Sequence, residues 1–188
     1  MNPVADLIVN FQELVAQVPA FVQPFILMLA GAVPFIEGEV ASLIGVIGGV
    51  NPIIAGIAAA IGNFASVLAV VTVASRTREF AVARRRGGAG VDGGAELNGG
   101  TDVLVDEKPN PKPKSKGRER FARWVVRYGV PGASIIGPLA IPTQFMSAML
   151  VGSGTPKAWV LLWQGIAIVL WTTLSVGLAT LALVTFGV

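Results

Sequence analysis

Two glutamates, Glu37 and Glu39, are the residues of this sequence best suited to chemistry. They lie in an apolar stretch beside Pro34 and Gly38, and residues 1–75 contain no Lys or Arg that could neutralise them. An acidic side chain at the depth of a bilayer costs about 2.5–3.5 kcal/mol on insertion scales. Because desolvation favours the protonated carboxyl, the pair predicts a site that binds and releases protons, as proton-coupled transport requires. If the stretch lies near the outer interface instead, both side chains are simply hydrated.

Other kinds of site are excluded by residue types that the sequence lacks. The 188 residues include no Cys and no His, which excludes thiol nucleophiles, imidazole bases and Cys/His metal sites. An intramembrane aspartyl protease needs a pair of Asp, whereas residues 1–75 and 121–188 together contain only Asp6. The only Lys of these two blocks is Lys157, which precedes the last apolar run. Its expected position near the membrane surface is too shallow for a catalytic Ser–Lys pair within the membrane. We therefore expect no enzyme activity, no metal and no cofactor.

The distribution of charge indicates a membrane protein. The chain is 53% hydrophobic and 13% charged, with a mean hydropathy of +0.70. Of its 14 basic residues, 13 lie between residues 76 and 127, so two apolar blocks flank one basic segment. The positive-inside rule places residues 76–127 in the cytoplasm. We therefore predict a multi-pass protein of the inner (plasma) membrane.

The first apolar block predicts an all-α integral membrane fold. Residues 1–18 have the periodicity of an amphipathic helix, which lies either in the membrane interface or against the rest of the protein. In the first membrane half, residues 19–75, the stretch 34–52 is too short to cross a hydrocarbon core of about 30 Å. We predict a re-entrant hairpin with two short legs there, and a spanning helix at 53–74.

The second membrane half, residues 121–188, has the same order. A broken apolar segment at 129–154 predicts a second re-entrant hairpin, and residues 157–184 predict a second spanning helix. Matched broken segments in two halves are typical of transporters built from inverted repeats. The alternative is five ordinary spans with poor helices.

Each predicted role has its own residues. We assign proton and substrate binding to polar side chains within the apolar blocks: Glu37, Glu39, Asn63, Thr143, Gln144 and Gln164. The hairpins are expected to be shaped by residues that break helices: Pro34, Gly38, Gly49, Pro52, Pro138, Pro142, Gly152 and Pro156.

The segment 76–120 is predicted to be a disordered basic loop in the cytoplasm. It is rich in Gly first and in Lys and Pro afterwards, and it cannot bury a core. The basic residues expected at the membrane surface are Arg84, Arg85, Arg86, Arg123 and Arg127. No aromatic residues alternate with the charges between residues 87 and 117, so we expect no nucleic-acid binding.

Short motifs in both blocks carry a family resemblance. They are Gly48-Gly49, Asn51-Pro52, Gly62-Asn63, Arg127-Tyr128-Gly129 and Ile141-Pro142-Thr143. With the acid-containing hairpin, they resemble the small multidrug export protein family over residues 25–180, apart from the central segment. The general plan is similar to that of DedA-like membrane proteins, which implies opposed re-entrant hairpins. Residues 128–156 contain no Arg, where a phosphate-binding hairpin of that group would be expected to carry one.

The function expected from the residues and the resemblance is a small integral membrane transporter. We expect proton-coupled export of small molecules or amphiphiles. One alternative is a DedA-like flippase for polyprenyl phosphate or phospholipid, and another is a membrane assembly subunit that transports nothing. The expected partners are the lipid bilayer, a substrate whose identity the sequence does not give, and further copies of the chain in a homo-oligomer.

Overall fold

The computed structural model describes residues 3–87 and 129–186, and all regular structure in these ranges is helical. The predicted all-α class is therefore confirmed for this part of the chain. The helices are α1 (Pro3–Ala16), α2 (Gln23–Gly31), α3 (Glu37–Ile47), α4 (Pro52–Gly87), α5 (Gly129–Leu139), α6 (Thr143–Gly152) and α7 (Lys157–Phe186). The last turn of α5, Gly137–Leu139, is a 3₁₀ turn.

Two helices, α4 and α7, are long and apolar enough to cross a membrane. Their most apolar windows are only 33% and 22% buried within the protein, so most of their apolar surface faces outward. The described residues cluster into two compact units. One contains Met1–Val67 and Gln164–Val188, and the other contains Leu68–Trp163.

In the first unit, α2 and α3 form a helical hairpin around Pro34. The legs have 9 and 11 residues, or about 14 and 17 Å of helix, so neither is long enough to cross a bilayer. Two short legs within residues 34–52 were expected, but the structure has one continuous helix there, and α2 is the other leg. The reason is that α3 has no breaker between Gly38 and Gly48, and a lone helical glycine at Gly45 is tolerated.

Close backbone contacts hold this hairpin against α4. A methyl group at Gly62 would overlap the backbone carbonyl of Met28, and one at Gly31 would overlap the carbonyl of Ala59. Small residues at such crossings let helix backbones approach closely. A buried apolar cluster joins α2, α3, α4 and α7 around the hairpin: Leu27, Val46, Val50, Ala55, Ala58 and Ala179.

Within the same unit, α4 and α7 run antiparallel. A Cβ added at Gly56 would lie 3.2 Å from Val176, and one added at Gly165 would lie 3.3 Å from Phe64. Residues later in α4 therefore contact residues earlier in α7. Antiparallel packing of the two long helices is compatible with an inverted repeat but does not establish one.

The second unit contains the second pair of short helices. α5 and α6 are joined by a turn at residues 140–142, and a Cβ at Gly137 would lie 2.5 Å from the methyl carbon of Met146. The order short helix, short helix, long helix thus occurs twice, as α2–α3–α4 and as α5–α6–α7.

The long helix α4 continues beyond the predicted span. Residues 76–87, expected in a disordered loop, are its last turns. These residues include no Pro and no Gly before Gly87, and Ala and Arg are strong helix formers. The rest of the predicted loop, residues 88–120, lies outside the described residues, and so do Arg123 and Arg127, which were expected at the membrane surface.

Candidate functional site

The two predicted acids lie in the first turn of α3, at the tip of the hairpin. Phe35 and Glu37 have φ angles of +72° and +52°, the only positive values among non-glycine residues in the described ranges. Left-handed backbone at such residues costs about 1–3 kcal/mol and persists only where the surroundings enforce it. The chain therefore turns sharply after Pro34, and Glu37 enters α3 only 5% exposed.

Gly38, between the two acids, is the point of contact with both long helices. A methyl group at this position would overlap the hydroxyl of Thr172 on α7 and would lie 3.7 Å from the carbonyl oxygen of Ala59 on α4. Thr172 is 2% exposed. Its Oγ1 has no hydrogen-bond partner among the described residues. Gly38 is therefore required here because a larger residue would push the acids away from α7.

A second contact fixes the same turn. The Oγ of Ser175 on α7 donates a hydrogen bond of 2.6 Å to the backbone carbonyl oxygen of Glu39. The Oγ of Ser42 donates to that oxygen at 3.0 Å. The backbone of Glu39 is thus held from two helices, while its side chain is left for other partners.

The carboxyl of Glu39 is in a low-polarity environment. Glu39 is half-buried, and its Oε1 is buried without a hydrogen-bond partner in the described part of the chain. It lies on α3, outside the two helices long enough to span a membrane. Burial raises its pKa from 4.5 to about 7; the negative charge of Glu37 also raises it, while a backbone hydrogen bond lowers it. The group can therefore gain and lose a proton near neutral pH.

Two predicted amides lie at one level of the antiparallel long helices. Asn63 and Gln164 are both fully buried. They are neighbours in sequence of Phe64 and Gly165, which contact each other. Neither the Nε2 nor the Oε1 of Gln164 has a hydrogen-bond partner among the described residues. An amide in this state is available to water or to a bound molecule.

The predicted polar residues of the second half are buried together in the second unit. Thr143 and Ser147 are fully buried and Gln144 is 3% exposed, all in the first turns of α6. Ser147 Oγ donates to the carbonyl oxygen of Thr143 at 2.6 Å, and Thr143 Oγ1 lies 3.5 Å from Gln144 Oε1. These residues form one local polar cluster at the tip of the second helix pair.

Most of the predicted helix-breaking residues lie at helix ends. Pro52 begins α4, Pro142 precedes α6 and Pro156 precedes α7, while Pro138 is in the 3₁₀ turn. Gly49 has a φ of +83°, as a left-handed turn requires.

Gly152 lies directly before the turn that follows α6. It is the last residue of that helix, and the left-handed position is Gly154, with a φ of +99°. Both glycines precede Pro156, and the sequence does not show which of them has the positive φ.

Sequence reasoning missed Thr172 and Ser175, which contact the acidic turn. They belong to a short group of hydroxyl residues, Thr172, Thr173 and Ser175, within a long apolar run. In such runs these groups usually bond their own helix. Thr180 and Thr185 of α7 do so, donating to the carbonyl oxygens four residues earlier. The local sequence does not distinguish a hydroxyl that bonds its own helix from one that contacts another helix. The partners of Thr172 and Ser175 are more than 130 residues away in sequence.

Comparisons with protein-family models, with curated proteins and with solved structures find no match for this chain.

Proposed function

We propose that the chain is a small integral membrane transporter in which Glu37 and Glu39 bind the protons that drive transport. The observation that carries the proposal is the position of the acidic turn along α7. Thr172 lies 15 residues after Lys157 and 14 residues before Phe186, with about 20 Å of helix on either side. The acids beside it are therefore far from both ends of an apolar helix.

Membrane insertion is supported by the outward surface of the long helices. Large apolar side chains are exposed along both: Ile53, Ile57, Ile61, Leu68 and Val73 on α4, and Leu162, Val169, Leu174, Leu178 and Leu181 on α7. Apolar surface of this extent is unfavourable in water and is normal against lipid. If α7 crosses the bilayer, Thr172 and the acidic turn lie near its midplane.

The first hairpin also has the dimensions of a re-entrant element. Its tip meets α4 at Ala59, seven residues from Pro52, or about 10 Å along the helix. That depth is inside the hydrocarbon core but short of its far side. A broken helix that brings irregular backbone to this depth is typical of transporter binding sites.

The chemistry of the site fits proton exchange. Within the described ranges, no Lys or Arg lies on α2 or α3, on α4 before Arg76, or on α7 after Lys157. Proton binding is the direct way to neutralise carboxyls in such surroundings. We propose that protonated Glu37 and Glu39 permit one orientation of the hairpin and that ionised carboxyls permit another. Gln164 and Asn63 then supply hydrogen bonds to the transported molecule.

The order of two short helices and one long helix, which occurs twice, supports an internal repeat, and we propose that its two halves are inverted. The resemblance to small multidrug export proteins stays a prediction, as do the cytoplasmic position of residues 76–127 and the homo-oligomer. Transport of small molecules or amphiphiles is preferred over lipid flipping because the described part of the second helix pair contains no Arg.

The test is transport by purified protein in proteoliposomes with an imposed pH gradient. The probes are ethidium, as an amphiphile, and a fluorescent phosphatidylglycerol. We expect gradient-dependent movement of ethidium, abolished in the Glu37→Gln/Glu39→Gln double variant and preserved in Glu13→Gln, which removes an exposed acid of α1. Unchanged transport in the double variant contradicts the proton mechanism. Lipid movement without ethidium movement favours a flippase, and movement of neither probe favours an assembly subunit.

A further inference from the structure

The last turns of α4 carry a strongly basic surface that the proposed transport site does not use. Beyond Ala74, α4 continues through residues 75–87, or for about 20 Å. This extension carries Arg76, Arg78, Arg84, Arg85 and Arg86 against a single acid, Glu79. All side chains from Arg76 to Arg84 are exposed.

One face of the extension continues the outward apolar surface of α4. Val73, Arg76, Phe80 and Arg84 are spaced by three, four and four residues, so they share one side of the helix. Val73 is 65% exposed and Phe80 is 78% exposed. On this face Arg76 thus follows Val73, and the exposed ring of Phe80 lies one turn beyond Arg76.

Arg78, two residues after Arg76, faces another way. A Cβ at Gly154 would lie 3.0 Å from Nη2 of Arg78, so this guanidinium contacts the loop between α6 and α7. Gly154 is three residues from the start of α7 at Lys157. The second unit therefore brings the basic end of α4 level with the beginning of α7.

The beginning of α7 has the composition of a membrane interface. Lys157 is exposed, Trp159 is 46% exposed, and the rings of Trp159 and Trp163 pack edge to face at 5.8 Å. Tryptophan is enriched where the headgroups meet the acyl chains. Arg76 and Arg78 lie at this level, which is the depth of lipid phosphates if α7 crosses a bilayer.

We propose that Val73, Arg76 and Phe80 form a binding surface for an anionic phospholipid. Arg76 binds the headgroup phosphate, Val73 contacts the upper part of the acyl chains, and Phe80, one turn further out, packs against the headgroup. The inference depends on membrane insertion but not on transport activity. Lipid is the occupant that fits, because the surface continues an apolar helix face and has positive charge at its edge.

The structure also provides a graded control. Arg84 is on the same face, eight residues further along the helix, or about 12 Å from Arg76. The attraction of anionic headgroups falls off within a Debye length of about 8 Å at physiological salt. Arg76 is therefore expected to contribute much more than Arg84 to lipid selectivity.

The experiment measures the relative association of spin-labelled phosphatidylglycerol and phosphatidylcholine with the full chain in phosphatidylcholine vesicles. We expect the wild type to prefer phosphatidylglycerol. Arg76→Gln should reduce this preference by up to about fivefold, the effect of one basic residue near the surface. Arg76→Lys should retain it, and Arg84→Gln should reduce it only slightly.

Two results would overturn the proposal. One is a wild type without preference for phosphatidylglycerol, and the other is equal loss of preference in Arg76→Gln and Arg84→Gln, which indicates diffuse attraction to the whole extension. Phe80→Ala provides a second variant that keeps every charge and should weaken association of both lipids. Because lipid association is measured without transport, failure of the Glu37→Gln/Glu39→Gln test leaves this result unaffected.

Discussion

Ser175 of α7 donates its hydroxyl hydrogen to the backbone carbonyl oxygen of Glu39, at 2.6 Å and across 136 positions of sequence. The bond attaches the first turn of α3 to the middle of α7. Because the acceptor is a backbone group, it positions the carboxyl of Glu39 without neutralising it. The position and the ionisation of this acid are therefore controlled by different groups, which can be tested separately.

The first prediction concerns this hydrogen bond. Ser175→Ala should lower the free energy of unfolding by about 0.5–1.5 kcal/mol, the usual contribution of one such bond. Thermal unfolding in detergent measures the effect. Thr180→Ala is the matched control, because Thr180 is exposed and donates within its own helix. Equal losses in both variants would mean that the bond to Glu39 has no special role.

The second prediction concerns the contact of Gly38 with Thr172. Gly38→Ala places a methyl group against the Thr172 hydroxyl. Overpacking of this kind costs about 1–3 kcal/mol. Thr172→Ala removes the hydroxyl, so the double variant should recover part of the stability lost in Gly38→Ala. Gly177→Ala, where nothing lies within 4 Å of the added carbon, should be neutral or stabilising. A double variant as unstable as the two single changes combined would show that the two residues are not in contact.

The class of fold could be predicted from the sequence, and so could the helix-breaking residues on either side of the acidic stretch, because both depend on local residue types. Pro34 and Gly49 flank α3 (Glu37–Ile47) in the structure, but a hairpin with two legs, not this single helix, was expected between residues 34 and 52. The other leg of the hairpin, α2, could not be identified from the sequence. The apolar residues before Pro34 are equally suited to a spanning helix and to the nine-residue helix that the structure has there. Only packing on α4 at Gly62 distinguishes the two.

The candidate site could be predicted only for its unusual residue types. Glu37 and Glu39 are conspicuous because acids are rare in apolar segments. Thr172 and Ser175 are ordinary in such segments, and their importance arises from contacts that form only when α3 packs against α7.

The third prediction concerns pH. Burial raises the pKa of Glu39 to about 7 in the folded protein, above 4.5 for an unperturbed glutamate. Between these values the folded state binds more protons than the unfolded state, so the contribution of Glu39 to stability is full below pH 4.5 and is lost as the pH rises toward 7. Relative to Glu39→Gln, the wild type should therefore be less stable at pH 8 than at pH 5, as melting temperatures would show.

The comparison with Glu39→Gln is needed because it isolates the contribution of Glu39 from that of every other ionisable group, including the neighbouring Glu37. The groups that face the turn from α4 and α7, namely Ala59, Thr172 and Ser175, carry no charge. Parallel pH profiles for the wild type and Glu39→Gln would contradict a raised pKa at Glu39. A reversed slope would indicate that the ionised form is the one the fold stabilises.

The fourth prediction concerns topology. The chain contains no Cys, so a single introduced cysteine reports its own position without background. Ala158→Cys and Thr185→Cys place thiols at exposed positions near opposite ends of α7. A membrane-impermeant maleimide should label Ala158→Cys from the cytoplasmic side and Thr185→Cys from the other side. Labelling of both from one side would show that α7 does not cross the membrane.

The fifth prediction separates stability from function at Gln164. Its amide is fully buried, and neither of its polar atoms has a partner among the described residues. An unpaired buried polar group costs about 1–3 kcal/mol, so Gln164→Met, which has a similar volume, should raise the melting temperature of the purified protein. The same change should lower ethidium transport, because the hydrogen bonds offered to the transported molecule are lost. A variant that is less stable than the wild type would show that the amide of Gln164 already has hydrogen-bond partners in the folded state. A variant that is more stable and transports ethidium fully would show that Gln164 is not part of the binding site.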